Sequence, residues 1–222
     1  VRSKNILAML LKNFVAMGIV TITWVLVGGS LAFSGNSFIG DWSVVGNLDL
    51  WGLRGLGLGN EVFGAVVPDN VVMGFQLMFA IITPALISGA VAERMKFSAW
   101  ALFIAVWSVV VYAPMAHWVW GGGFIAEVIG GVDFAGGIVV HVSAGAAALA
   151  VILALGPRIG WRDEPIRPHN LTLTLLGAGI LWFGWFGFNS GSTLTSDALT
   201  GNAFLTTQIS AAVAACVWLL AE

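Results

Sequence analysis

The chain has 222 residues, of which 59% are hydrophobic and only 9% are charged, and its formal net charge is −2. This composition excludes an ordinary water-soluble domain. The small net charge gives no reason to expect a nucleic-acid partner.

Six long uncharged stretches follow one another along the chain. A bilayer core of about 30 Å requires about 20 apolar residues per helix, and each stretch is long enough to supply them. The sequence therefore predicts six spanning helices and an all-α polytopic membrane protein. The stretches are Phe14–Phe33, Asn70–Ala92, Phe97–Ala126, Phe134–Gly156, Asn170–Ser196 and Ala198–Ala221.

The longest connection, residues 34–69, is rich in Gly, Trp, Asp and Asn. We expect it to form an ordered cap on the outer face of the helices. Its Trp42 and Trp51 fit the aromatic belt at a membrane interface, where an amphipathic indole is favoured.

Basic residues are distributed unevenly between the connections. Eight of the nine lie before the first stretch or in the connections after the second and fourth, whereas the alternate connections contain only Arg54. The positive-inside rule then places the start of the chain in the cytoplasm and residues 34–69 outside, in a multi-pass arrangement in the inner (plasma) membrane. The eight are Arg2, Lys4, Lys12, Arg94, Lys96, Arg158, Arg162 and Arg167.

Two ionisable residues stand out because such groups are costly at membrane depth. Asp133 directly precedes the fourth stretch, where its carboxylate can cap the start of a helix. His141 follows eight residues later, about 12 Å inward and near the bilayer midplane. It either lines a polar pore or hydrogen-bonds across helices for structural reasons alone. His117, at the outer end of the third stretch, is more simply a satisfied interface histidine.

Aromatic residues are a second candidate feature. Phe75 and Phe79 are four residues apart and share one face of the second helix, and Trp120 closes the third stretch before three glycines. Most aromatic residues in spanning helices face lipid or pack in the core. Because the ring face of Trp attracts cations, Trp120 opposite a hydroxyl such as Ser192 would form a site for a small cation.

Five sequence strings together carry a family resemblance. The segment 133–145, DFAGGIVVHVSAG, closely resembles the signature of the ammonium transporter family, which also includes relatives of the Rhesus glycoproteins. Four further strings agree with it in order and spacing, and the match covers essentially the whole chain. They are residues 75–79 (FQLMF), 89–94 (GAVAER), 116–123 (AHWVWGGG) and 184–192 (GWFGFNSGS).

The resemblance implies an ammonium transporter-like helical bundle, with about eleven spanning helices arranged partly as an inverted repeat. Family members form homotrimers with one pore per subunit. Residues 1–222 would be a single transmembrane domain truncated at both ends, corresponding roughly to helices two to seven. Trp120, Phe79 and Ser192 would form an outer ammonium-recruitment site, and Phe79 and Phe188 would be stacked rings that close the pore below it.

The same resemblance assigns the pore interior. His141 would be the first of two hydrogen-bonded pore histidines, Trp185 would line the pore nearby, and Asp133 would be the buried carboxylate that stabilises the site. The second histidine would belong to a helix beyond this chain. Family members often bind a PII-type regulatory protein on the cytoplasmic face, where the loops at 94–96 and 158–167 would lie.

The implied function is transport of ammonium or ammonia through a hydrophobic, histidine-lined pore, without a cofactor. An ammonium sensor, in which the same domain is fused to a signalling module, is the alternative. An enzyme subunit would need a catalytic constellation or a metal cluster, which three scattered histidines and one cysteine do not supply.

Overall fold

The computed structural model describes residues 1–39, 42–163 and 165–221. Within these ranges, six helical segments are long and apolar enough to cross a membrane, which confirms the predicted number. We call them the first to sixth spans. They are Ser3–Phe33, Asp69–Val91, Phe97–Ile129, Gly137–Leu155, Leu171–Gly191 and Ala198–Ala221.

Several spans depart locally from α-helical geometry. The α-helices are Ile6–Thr23, Gly29–Phe33, Asp69–Ile87, Phe97–Trp107, Ala113–Trp120, Ser143–Leu155, Leu171–Gly191 and Ala198–Ala221. Short 3-10 turns occur at Ser3–Asn5, Trp51–Leu53 and Ser88–Val91. Wider π-helical turns occur at Trp24–Gly28, Ser108–Tyr112, Ile125–Ile129 and Gly137–Val142. Such turns are frequent at functional sites, and the fourth of them contains His141.

The first span begins at Ser3, well before the uncharged stretch that starts at Phe14. The difference arises because Lys12 is accommodated inside the bundle. Its Nζ donates to the Met95 carbonyl at 2.7 Å, and the Trp100 indole donates to the Lys12 carbonyl at 3.1 Å. A lysine whose ammonium reaches a polar partner at the end of a span does not end the helix.

Polar contacts between distant segments show which connections share a face. Arg2 forms an ion pair with Glu93, and Arg158 reaches the Gly89 carbonyl at 3.4 Å. The chain start and the connections after the second and fourth spans therefore meet at one end of the bundle, which we call the arginine face. The grouping of basic residues at one face agrees with the sequence prediction.

The Arg2–Glu93 pair gives the arginine face a pH dependence. Hydrogen bonds from Arg2 lower the pKa of the Glu93 carboxyl from 4.5 to about 2. The pair's contribution to stability is thus complete above pH 4.5 and is lost as the pH falls towards 2. We expect Glu93→Gln to remove this part of the acid sensitivity, measured as the melting temperature in detergent across this pH window. An equally steep loss of stability in the variant would contradict the assignment.

The connection between the first and second spans contains a two-stranded antiparallel hairpin that the sequence analysis did not predict. Strand β1 is Asn36–Ile39 and strand β2 is Trp42–Gly46, with Asn36 opposite Gly46 and a register irregularity between Ser37 and Phe38. The hairpin lies at the opposite end of the bundle from the arginine face, and we call this end the hairpin face. Of the predicted cap, residues 34–39 and 42–69 are described, and they include a small sheet in an otherwise all-α fold.

The end of the third span anchors the hairpin. His117 is fully buried, and its Nδ1 lies 3.1 Å from the Ala32 carbonyl, so this nitrogen carries the proton. In the neutral ring Nε2 then accepts from the Ser43 hydroxyl at 2.7 Å. The Trp118 indole donates to the Val44 carbonyl at 2.6 Å. His117 is thus the satisfied structural histidine that the sequence predicted.

We expect Trp118→Phe to destabilise the protein by about 1 kcal/mol, because it leaves the Val44 carbonyl without its indole donor. Thermal unfolding in detergent is the measurement. Trp218→Phe is the matched control, since that indole is exposed on the sixth span and none of the described residues hydrogen-bonds to it. Equal melting temperatures for Trp118→Phe and the wild type would show that the hairpin is held by other contacts.

The fifth and sixth spans pack mainly against each other. The Phe186 and Phe204 rings stack with centroids 4.3 Å apart, and the Asn189 amide donates to the Thr207 hydroxyl at 3.0 Å. Most of their apolar surface is exposed in this chain. They meet the other spans through a few aromatic residues, which also build the candidate site.

Candidate functional site

Asp133 organises the entry to the fourth span. Both of its carboxylate oxygens accept backbone N–H groups at distances of 2.7 to 2.9 Å, as predicted for a helix cap. Its backbone carbonyl also accepts the Trp120 indole N–H at 2.8 Å. This one residue therefore ties the end of the third span to the start of the fourth. The N–H donors to its carboxylate are Gly136, Gly137, Ile138 and Val139.

The turn before the fourth span depends on Gly136. Its φ is +105°, a left-handed conformation that side-chain-bearing residues rarely adopt, and an added Cβ would lie 2.7 Å from Val140 Cγ2. Because of this turn, the span begins at Gly137 and not at Phe134. His141 is therefore the fifth of 19 residues, nearer the hairpin-face end than the middle of the span. The predicted count of eight helical residues between Asp133 and His141 is corrected accordingly, because the helix begins only at Gly137.

Aromatic rings from three spans form a continuous column below the hairpin face. Phe75 and Phe79 lie one turn apart with ring centroids at 4.9 Å, which confirms that they share a face. Phe79 is buried, with 1% of its surface exposed. Its ring centroid lies 5.5 Å from that of Trp120, in an edge-to-face arrangement. It lies 4.2 Å from that of Phe188, with 31° between the ring planes. The tertiary structure thus brings together Phe79, Trp120 and Phe188 as rings in contact.

The column continues to His141. Trp185 stacks on Phe188 at 4.9 Å and on the His141 ring at 5.9 Å. His141 and both rings line a cavity of about 400 Å³ that also includes Asp133 and Asn189. None of the residues 1–39, 42–163 and 165–221 hydrogen-bonds to the imidazole. The described residues therefore contain no hydrogen-bond partner that would give His141 a purely structural role. Its ring nitrogens can bind a molecule in the cavity.

The Ser192 hydroxyl bonds within its own helix. Its hydroxyl donates to the Phe188 carbonyl one turn earlier at 2.7 Å. The preceding residue, Gly191, lies against the Phe75 ring, so that an added Cβ would be 3.0 Å from that ring. Ser192 is therefore next to a residue that packs on the ring column, and within the described ranges its hydroxyl does not hydrogen-bond to the Trp120 indole.

Chemically, the site combines the π faces of its aromatic rings with one imidazole and one carboxylate. The Asp133 carboxylate is occupied by four backbone N–H groups, and its negative charge adds a favourable field for a cation at the mouth. Within the described ranges, no cluster of three or more His, Cys, Asp or Glu residues is arranged to hold a metal ion. The arrangement suits the binding of a small polar molecule or cation.

Two elements of the site were not assigned from sequence. Asn189 lines the cavity beside His141 and bonds to the sixth span, and the available signal was a side-chain amide in a helix without charged residues. No sequence pattern predicts the hydrogen bond from the Trp120 indole to the Asp133 carbonyl, because it joins residues across a turn of irregular backbone.

Comparisons with known proteins bear on the family and the fold of the chain. The sequence model of the Ammonium Transporter Family matches residues 1–222. An ammonium transporter of Mycobacterium tuberculosis is 46% identical over 245 residues, covering 100% of this chain and 50% of that protein. The chain thus spans about half the length of the curated relatives it matches.

Solved structures give the same result at the level of the fold. The crystal structure of Candida albicans Mep2 matches with a TM-score of 0.83 and 35% identity, over 94% of this chain and 46% of that one. A structure named Sensor Amt Protein matches with a TM-score of 0.86 and 32% identity, over 100% of this chain and 56% of that one. The family's sequence model matches the whole chain, and both solved structures share its helical bundle. The chain therefore belongs to the ammonium transporter family, a family of transport proteins and not of enzymes.

Proposed function

We propose that the full-length protein transports ammonium across the plasma membrane, taking up the ion at the hairpin face and passing ammonia through a pore beside His141. The observation that carries this proposal is the unbroken series of ring contacts from Trp120 through Phe79, Phe188 and Trp185 to the imidazole. A π face suits the recruitment of a small cation, and a low-charge cavity suits the passage of a neutral molecule.

Recruitment depends on Trp120 and Phe79, with Ser192 as a hydroxyl acceptor on the same side. A cation over an indole face gains about 0.5–2 kcal/mol, depending on how far it is dehydrated. Potassium has a similar size, so radius alone does not discriminate. Ammonium differs in having directional N–H donors, which a hydroxyl and ring faces bind and which potassium lacks.

Passage beyond the mouth favours the neutral form. Phe79 and Phe188, whose ring centroids lie 4.2 Å apart, act as the gate, and the two rings offer a bare ion no charged side chain of their own. An ion at membrane depth costs several kcal/mol, so ammonium gives up its proton before it passes the rings and ammonia continues. His141 hydrogen-bonds ammonia beyond the gate, and Trp185 holds the imidazole plane by stacking. The proton either returns to water at the hairpin face or follows imidazole groups, and current recordings on planar bilayers distinguish these routes.

The family assignment also supports a proposal for the assembly. We propose a homotrimer with one pore per subunit, a PII-type regulatory protein on the arginine face, and a longer transporter domain of which residues 1–222 are one part. The match to a protein named as a sensor means that this fold alone does not separate transport from sensing. A soluble signalling module elsewhere in the full-length protein would favour sensing.

The test is uptake of labelled methylammonium by cells that lack their own ammonium transporters and express the full-length protein. We expect saturable uptake that excess ammonium inhibits and excess potassium does not. Absence of uptake, with the protein confirmed in the membrane, would contradict transport. Ammonium-dependent output from a fused module would then support the sensor.

A further inference from the structure

The helix end that carries Trp120 is held from two sides, by the first span and by the hairpin. His117 lies one turn before Trp120, in the last part of the α-helix Ala113–Trp120. Its ring joins the Ala32 carbonyl of the first span, at 3.1 Å, to the Ser43 hydroxyl of strand β2, at 2.7 Å. We call these two hydrogen bonds the His117 clamp.

The backbone of His117 also shapes the end of this helix. Its carbonyl accepts the N–H groups of Gly121 at 3.0 Å and Gly123 at 2.9 Å, so the chain turns directly after Trp120. Gly121 has no side chain where the first span passes, and an added Cβ would collide with the Ala32 carbonyl. The ring and the backbone of His117 therefore act on the same turn, and a shift of the ring would move the residue at its end.

The tautomer of His117 makes the Ser43 hydroxyl necessary. Nδ1 carries the proton that is donated to the Ala32 carbonyl, so Nε2 has a lone pair that needs a donor. His117 is 0% exposed, and bulk water therefore cannot supply that donor. A buried acceptor that loses its donor costs more free energy than an ordinary hydrogen bond contributes. We expect the ring to move if Ser43 loses its hydroxyl.

The indole of Trp120 depends on the position of this turn. Its N–H donates to the Asp133 carbonyl at 2.8 Å, and its ring meets the Phe79 ring edge to face at 5.5 Å. An N–H···O hydrogen bond weakens steeply as its angle closes. A small displacement of the helix end therefore changes both contacts and moves the indole face relative to the gate rings. Strand β2 is thus linked to the recruiting ring through one buried histidine.

We propose that His117 and Ser43 are positioning residues for the ammonium-recruitment site. Neither of them lines the cavity beside His141, and they act on the cation only through the indole of Trp120. This inference rests on the proposed function, because it specifies what fixes the recruiting ring of that site. The hairpin then sets the affinity of the mouth for ammonium, in addition to covering the end of the bundle.

The test compares Ser43→Ala with Ser34→Ala in the full-length protein, expressed in cells that lack their own ammonium transporters. The two serines are a matched pair, because both are buried and Ser34 also holds the hairpin, by donating to the Asn47 carbonyl at 2.7 Å. Of the two, only Ser43 bonds to the helix that ends at Trp120. The methylammonium concentration for half-maximal uptake and the maximal rate per folded molecule are measured separately.

We expect Ser43→Ala to raise the half-maximal concentration by about 3-fold to 10-fold, which is part of the attraction between a cation and an indole face. The maximal rate per folded molecule should stay the same, because the gate rings and His141 are not changed. Ser34→Ala should match the wild type in both quantities. A role of Ser43 in stability alone would lower the amount of protein in the membrane and leave the half-maximal concentration as it is.

His117→Asn removes the same hydrogen bond from the other side. The asparagine amide can replace Nδ1 as the donor to the Ala32 carbonyl, but it has no atom at the position of Nε2. We expect the same rise in the half-maximal concentration as in Ser43→Ala. The double variant should show no further rise, because both changes remove one bond. Additive shifts would show that the two residues act separately and would contradict the clamp.

Hydrogen exchange of the backbone amides in residues 121–124 reads the helix end without any transport. We expect faster exchange in Ser43→Ala than in the wild type and in Ser34→Ala. A wild type without uptake would contradict the proposed function, whereas the exchange rates would still decide whether the clamp holds this turn. Unchanged exchange in Ser43→Ala, or an unchanged half-maximal concentration in that variant, would overturn the inference. An equal shift in Ser34→Ala would overturn it too, because it would show a general effect of hairpin stability.

Discussion

Replacing His141 with Ala in the full-length protein is expected to reduce the initial rate of methylammonium uptake by about 10-fold to 100-fold. The imidazole is the polar group of the described chain that stacks below Trp185 and lines the cavity beyond the Phe79–Phe188 pair. Its loss removes a hydrogen bond of about 1–3 kcal/mol from ammonia in a water-poor site, and each 1.4 kcal/mol corresponds to a factor of about ten. Uptake is normalised to the amount of protein in the membrane.

The control for this experiment is His169→Ala. His169 lies in the connection after the fourth span, and none of the described residues bonds to its imidazole; its backbone N–H donates to the Val1 carbonyl at 3.0 Å. We expect this variant to transport at the wild-type rate. Unchanged uptake in His141→Ala at equal membrane abundance would exclude a direct pore role for the imidazole.

The second large effect concerns Asp133. We expect Asp133→Ala to destabilise the protein by about 3 kcal/mol, because four backbone N–H groups at the start of the fourth span lose a charged acceptor. Asp133→Asn keeps one acceptor oxygen and should lose about half as much. For both variants, the free energy of unfolding is measured in detergent by titration with a denaturing detergent.

Asp133→Ala is also expected to lower uptake per folded molecule, because the Asp133 backbone carbonyl holds the Trp120 indole and the cap fixes its position. Asp197→Ala separates the two effects. Asp197 caps the sixth span by accepting the Leu199 and Thr200 N–H groups, away from the rings, so its loss should affect stability and leave uptake per folded molecule unchanged. If both variants transport normally once folded, Asp133 has no role beyond the cap.

Part of the site was predictable from residue type and spacing alone. Phe75 and Phe79 had to share a face because they are four residues apart, and Asp133 before a glycine-containing helix start is a typical cap. The ring contacts between Phe79, Trp120 and Phe188 were expected only from the family resemblance. These residues come from three spans, and no local pattern relates their positions.

The errors of the sequence analysis have local physical causes. The fourth span was predicted to begin at Phe134 because hydrophobicity is continuous there, but Gly136 adopts a left-handed turn and delays the helix to Gly137. The first span was predicted to begin at Phe14 because Lys12 is charged, but a distant carbonyl accepts its ammonium. The hairpin was missed because its anchors, the His117 and Trp118 side chains, come from another span.

The sequence by itself determined that this protein lies in a lipid bilayer, how many spans it has and which connections share a face. Each of these depends on quantities that add along the chain: apolar length against bilayer thickness, and the count of basic residues per connection. Only the tertiary structure decided where along its span His141 lies, that Trp185 stacks on its ring, and that the Ser192 hydroxyl bonds back to its own helix. These outcomes depend on which side chains from different spans meet, and the free energies of such contacts are set by distance and geometry in space, not by separation in sequence.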